Sequence, residues 1–182
     1  MKKFLLIAVL ALLPVLGFAQ NNHYFNHETG SFDQSVSVMG QDMVTHIVFA
    51  DYGALQRLDM NTMGQDVTTI FRDGKTYMVK PNFQVMPTED NVNYNDLDQA
   101  TIDKYNIKMV GIESMDGYDC LVYTLKMDVQ GMEGKGKVWV WDGFQVRAEV
   151  NVMGMTVVTK LKNLKLDVPV DMSLFDVNEP HN

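Results

Sequence analysis

Three runs between residues 121 and 162 place apolar side chains mainly at every second position, and short turn signals separate them. Phe144, Val146, Ala148, Val150 and Val152 alternate with Gln145, Arg147, Glu149 and Asn151. Met155, Val157, Thr159 and Leu161 alternate with Thr156, Val158, Lys160 and Lys162, and Leu121, Tyr123, Leu125 and Met127 with Val122, Thr124, Lys126 and Asp128. A period of two puts one set of side chains on each face of a strand, whereas an amphipathic helix needs a period near 3.6. The pattern therefore requires sheet.

Asp73-Gly74, Asp116-Gly117 and Asp142-Gly143 separate such runs, with Met63-Gly64 and Met153-Gly154 at further turns. Asp-Gly favours two-residue hairpins because both turn residues take positive φ. The sequence predicts about ten antiparallel strands, near 32–39, 43–50, 54–62, 66–72, 75–80, 107–114, 118–128, 136–141, 144–153 and 155–165. The meander breaks once, at 81–95, where Pro81 and Pro87 flank a polar cluster. A helix is expected from about Asp96 to Tyr105, with Asn95 as its cap and acidic residues in its first turn. So many strands expose much apolar surface. Curling into an unclosed, half β-barrel with one or two covering helices hides it.

The chain divides into four parts: a signal peptide at 1–19, a flexible segment at 20–31, a half-barrel domain at 32–177 and a tail at 178–182. Lys2 and Lys3 precede an apolar stretch, Phe4 to Phe18, that is short for a membrane span. Gly17 and Ala19 occupy the small-residue positions of a cleavage site before Gln20, so the mature chain is expected to be periplasmic or secreted, without a transmembrane segment. The net charge of −8 argues against nucleic acid, whose phosphates need clustered Lys and Arg. The single Cys120 sits beside Leu121 and Val122 and reads as a buried, inert thiol.

No catalytic pattern emerges. There is no Gly-x-Ser-x-Gly elbow, and the glycines from Gly131 to Gly136 lead into a strand rather than a phosphate-binding helix. His23 and His27 stand four apart in a segment read as a loose tail. Asn91 to Ile102 has the composition of a calcium loop but lacks the required Gly and bidentate Glu. The 14 Met fill irregular apolar gaps, line a pliable acyl-chain cavity, or supply thioethers to Cu(I), for which Met60-x-x-Met63 and Met153-x-Met155 are the candidates. Neither a metal nor another cofactor is expected. Trp139 and Trp141 alternate with Val138 and Val140, so both faces of that strand need cover.

Three segments carry a family resemblance. The first is Gly111-Ile112-Glu113 followed by Asp116-Gly117-Tyr118-Asp119-Cys120-Leu121-Val122-Tyr123. The second is Val138-Trp139-Val140-Trp141-Asp142 with Val146-Arg147-Ala148-Glu149. The third runs from Thr159 through Leu164-Lys165 to Val170-Asp171-Met172-Ser173-Leu174-Phe175, which is similar to a closing strand region. Their order, over residues 32–177, resembles the periplasmic lipoprotein carriers of the LolA/LolB-like group. The resemblance implies an unclosed barrel whose helices lid a hydrophobic cavity for acyl chains.

The expected function is non-enzymatic: an envelope protein that binds an apolar ligand, whether lipid, acyl chain or lipoprotein. The cavity lining would be Leu121, Tyr123, Leu125, Met127, Phe144, Val146, Val150, Val152, Met155, Val157 and Leu161. The alternative is a structural or protein-interaction module with a filled core, whose partner is another envelope protein.

Overall fold

The computed structural model describes residues 23–38, 41–62, 64–86, 92–129, 132–152 and 154–177. The expected signal peptide, the tail at 178–182, and Met63 and Met153 of the copper reading lie outside them. Eleven strands form one antiparallel sheet: β1 (Gly30–Val38), β2 (Gln41–Ala50), β3 (Leu55–Thr62), β4 (Gln65–Arg72), β5 (Lys75–Lys80), β6 (Gln84–Met86), β7 (Lys108–Met115), β8 (Tyr118–Val129), β9 (Met132–Trp141), β10 (Phe144–Val152) and β11 (Met155–Leu166). The short β6 was not anticipated. β9 starts four residues before the expected 136, because its glycine-rich start continues the β8 ladder out to the Val129–Met132 pair.

The spatial order is β6-β5-β4-β3-β2-β1-β11-β10-β9-β8-β7. Two meanders, β1–β6 and β7–β11, are joined where the first strand pairs with the last. β6 and β7, adjacent in sequence among strands, therefore stand at opposite edges. The connection between them has to pass from one edge of the sheet to the other. Its described part, residues 92–107, packs on one face of the sheet. Register shifts at Ser31/Asp33, Thr68/Thr69, Met109/Gly111 and Gln145/Arg147 add local twist, which curls the sheet without closing it.

The hairpin turns follow the sequence. Asp73, Asp116 and Asp142 take φ of 51°, 51° and 54°, each followed by a glycine of positive φ. The helix, α1 (Gln99–Tyr105), is shorter than expected. Its cap is Asp98, whose carboxylate accepts from Thr101 N–H. Asn95 bonds Tyr24 O instead, so it ties two segments together rather than starting a helix.

The closing motif also differs from its expectation. Met172–Phe175 forms a 3₁₀ turn, not a strand. Asp171 caps it through Ser173 N–H, and Phe175 is buried. Its carbonyls accept from two cations of the sheet: Leu174 O from Arg57 and Phe175 O from Arg72. The turn thus plugs the outer face of β3 and β4. Arg57 is half-buried there and pairs with Asp59 at 2.7 Å.

Candidate ligand-binding site

One face of the sheet is apolar and carries two covers. At one end lie Phe32, Ile47, Phe49, Leu58 and Phe71, with Phe144 and Leu161. At the other lie Tyr123, Leu125, Val138, Val140 and Ala148. Gly136 is packed closely on this face, where an added Cβ would lie 3.3 Å from Leu125 Cγ and 3.6 Å from Val150 Cγ2.

The first cover is a strap of residues 23–29. Read from sequence as part of a flexible segment, it packs here: Tyr24 is 4% and Phe25 is 5% exposed. The ring of Phe25 stacks on Phe144 at 4.2 Å and leans on Phe49 at 4.7 Å. Tyr24 N–H and Phe25 N–H donate to Tyr52 O, and Tyr52 N–H donates to Glu28 O. Alternation among Tyr24, Phe25 and their neighbours is too short to register as a strand, which is why sequence reading missed this element. Its signal was two adjacent aromatics in a polar stretch.

The second cover is the crossover segment of residues 92–107. Val92, Tyr94, Leu97 and Tyr105 pack on the Tyr123 cluster, and Ile107 is buried within it. The Tyr94 and Tyr123 rings lie 5.3 Å apart, and burial pushes both phenols above their ordinary range. Asn93 and Asn95 bind the covers to each other, through His23 O at 3.0 Å and Tyr24 O at 2.9 Å. Between the covers a void of about 40 Å³ is lined by Phe25, Gln34, Tyr94 and Gln145, among others. Gln34 Oε1 is buried there without a partner among the described residues. The space suits one water.

The sequence-predicted lining divides. Tyr123 and Leu125 lie under the crossover cover, Phe144 and Leu161 under the strap. Val150, Val152 and Val157 are buried. Leu121 and Met155 are exposed. The Met127 side chain lies outside the description. Val146 sits elsewhere, with Cys120, Val122 and Trp139 on the opposite side. The register shift between Gln145 and Arg147 interrupts the alternation on which its placement rested.

That opposite cluster covers the second face of β9, as the Trp pattern required. Trp139 Nε1 donates to Glu113 at 2.7 Å, and Lys137 and Arg147 flank its ring. Cys120 is fully buried, and burial, then Asp119 and Asp116, push its thiol up. This is the reverse of nucleophile activation. A recess of about 360 Å³ opens on the outer side of β2–β5, where His46, Asp59, Asp66 and Lys80 gather. His46 Nδ1 lies 2.7 Å from Asp33. Burial opposes ionisation of Asp33 and Asp59, but hydrogen bonds from Asn163 and His46, and from Arg57 and Thr68, hold both carboxyls below the ordinary range.

Comparison with known proteins gives fold and little more. No family model matches the sequence, and no curated protein matches it. Among solved structures, a chain of the Pseudomonas aeruginosa MucA/MucB complex superposes with a TM-score of 0.59 at 11% identity, over 86% of this chain and 58% of that one. The structure of MucB in complex with MucA(peri) gives 0.52 at 12%, over 81% and 53%.

At these identities the likeness is one of fold. Lower scores are found against a LolA superfamily protein of Nitrosomonas europaea (0.45, 10%, over 84% and 94%) and the Mycobacterium tuberculosis lipoprotein LppX (0.46, 12%, over 78% and 89%). Among the described residues the fold is one unclosed antiparallel sheet with a single α-helix, as the period-two pattern led one to expect.

Proposed function

We propose that this chain is a non-enzymatic envelope protein that binds an apolar chain, of a lipid or an acylated protein, against the covered face of its half-barrel. One observation carries the reading. Both covers rest on the apolar face without adding a strand to it, so they can lift while the eleven-stranded ladder stays whole. An acyl chain entering beneath them would gain about 0.8 kcal/mol for each methylene buried. Leu121 and Met155 are the exposed ends of the proposed lining, where a ligand would start. The periplasmic or secreted location, and the leader that would direct it, belong to the same proposal.

A second reading has its own observation. The edge strand β7 exposes Met109, Val110 and Ile112, apolar groups on an unpaired edge of the kind that takes up partner segments. The MucB structure named above is of a complex with MucA. Partner binding along β7, with the covered face permanently closed, is the alternative.

Native mass spectrometry of mature protein purified without detergent, followed by organic extraction, separates the two. A co-purifying lipid or acylated peptide supports the first. A clean apo mass, with no uptake of added long-chain fatty acid or phosphatidylglycerol, moves the assignment to the interaction module.

A further inference from the structure

Besides its aromatic and backbone contacts, the strap carries one imidazole that reaches two strand ends at once. His27 Nε2 lies 2.9 Å from Asp142 Oδ2, and His27 Nδ1 lies 2.9 Å from Asp167 Oδ2. Asp142 stands in the β9–β10 turn and Asp167 directly after β11, so the ring bridges two parts of the sheet. These two carboxylates are the charged groups facing the ring. Its remaining neighbours are the rings of Trp141 and Phe144, each 6.4 Å away. Asn26 Nδ2 adds a bond to Asp142 Oδ1. Beyond His27 the strap is anchored by backbone, with Asp167 N–H donating to Thr29 O and Thr29 Oγ1 donating to Val168 O. Thr29 is therefore the natural pivot, and Tyr24 and Phe25 are on the arm that moves.

We propose that His27, Asp142 and Asp167 form a proton-operated latch, which tightens the Tyr24–Phe25 strap on the apolar face when the imidazole is charged and loosens it when the imidazole is neutral. The chemistry is direct. Only imidazolium carries a hydrogen on both ring nitrogens. Neutral His27 keeps one charge-assisted bond and turns a lone pair toward the other carboxylate, so attraction becomes repulsion. Burial alone would lower the pKa of His27, but the hydrogen bonds and charges of Asp167 and Asp142 outweigh it and set it above the ordinary value. The latch is thus fully closed below the unfolded-chain pKa of about 6.5 and is lost as pH rises through the higher folded value. Control of ligand entry rests on the proposed function above. The latch itself does not.

The test uses mature protein from about pH 6 to about pH 9, the range in which a perturbed His titrates. His27 is followed by NMR, and protection against amide exchange is followed at Tyr24, Phe25 and Tyr52, normalised to unfolded-chain rates. Uptake of cis-parinaric acid is measured in parallel. Strap protection is expected to fall about tenfold or more as His27 loses its proton. His27→Gln should abolish that pH dependence. Asp167→Asn, which spares the turn and strap, should move the midpoint to lower pH in a folded protein. Protection that stays flat in the native chain, or that follows the same profile in His27→Gln, overturns the latch. Probe uptake rising with strap opening supports the coupling, and equal uptake at both ends of the range overturns it. A strap that opens with no uptake at any pH confirms the latch and refutes the apolar ligand site.

Discussion

Replacing Phe25 by Ala would remove the ring that joins the strap to the sheet. The ring is 5% exposed, stacks on Phe144 with 4° between planes, and meets Phe32 edge-on at 6.1 Å. Truncating a buried Phe costs about 3–5 kcal/mol when the surroundings cannot close the gap. The strap contributes no strand, so it can shift inward or detach, and the low end applies: about 3 kcal/mol. At about 2–4 °C per kcal/mol for a domain of this size, Tm should fall by roughly 6–12 °C. Circular dichroism gives Tm, and amide exchange locates the damage. Tyr24 and Tyr52 amides should approach solvent rates, while β8–β10 amides lose only the global difference. A fall below about 2 °C, with Tyr52 still protected, would refute the claim that this ring belongs to the core.

Gly143 takes φ +87°, and a Cβ there would meet Tyr24 O at 2.2 Å and Asn95 Nδ2 at 2.5 Å, so Gly143→Ala should displace both covers and cost about 1–3 kcal/mol; an unchanged urea midpoint would contradict this. Leu121→Ser alters an exposed lining residue, so stability should stay within about 0.5 kcal/mol while affinity for cis-parinaric acid drops; equal affinity removes Leu121 from the site. Cys120 should resist thiol reagents in the native protein and react only as the sheet opens, and rapid native labelling would show that its burial is wrong. Asp33 and Asp59 have depressed folded pKa values, so their stabilisation is present above the unfolded carboxyl pKa and lost as pH falls through the folded value; Asp59→Asn should flatten the acid limb of a stability–pH curve, and an unaltered limb would dismiss the Arg57–Asp59–Thr68 contacts as its cause.

The strands were legible because their information is local. Val150 and Val157 belong to alternating runs on either side of the Met153-Gly154 turn signal and pair across β10 and β11. Asp142-Gly143 reads as a turn because positive φ is a property of two residues. The candidate site was legible only where alternation held. Tyr123, Leu125 and Leu161 are found on the covered face. Val146 is not, since a register shift that no residue type announces turned it to the other side. Cap choice was misread for a similar reason. Asn95 and Asp98 are equally good caps by composition, and the strap's demand for a donor to Tyr24 O claimed the first.

By itself, then, the sequence determined strand content, turn positions, the antiparallel class and the buried state of Cys120, all of which follow from side-chain periodicity and backbone preference within a few residues. The tertiary structure alone decided that β1 pairs with β11, that β6 and β7 become opposite edges, and that the chain between them must cross a face. It also decided that His27, unremarkable in its own segment, meets carboxylates more than a hundred residues away. Such pairings are set by the free energy of closing the whole sheet, to which no short stretch of chain holds the key.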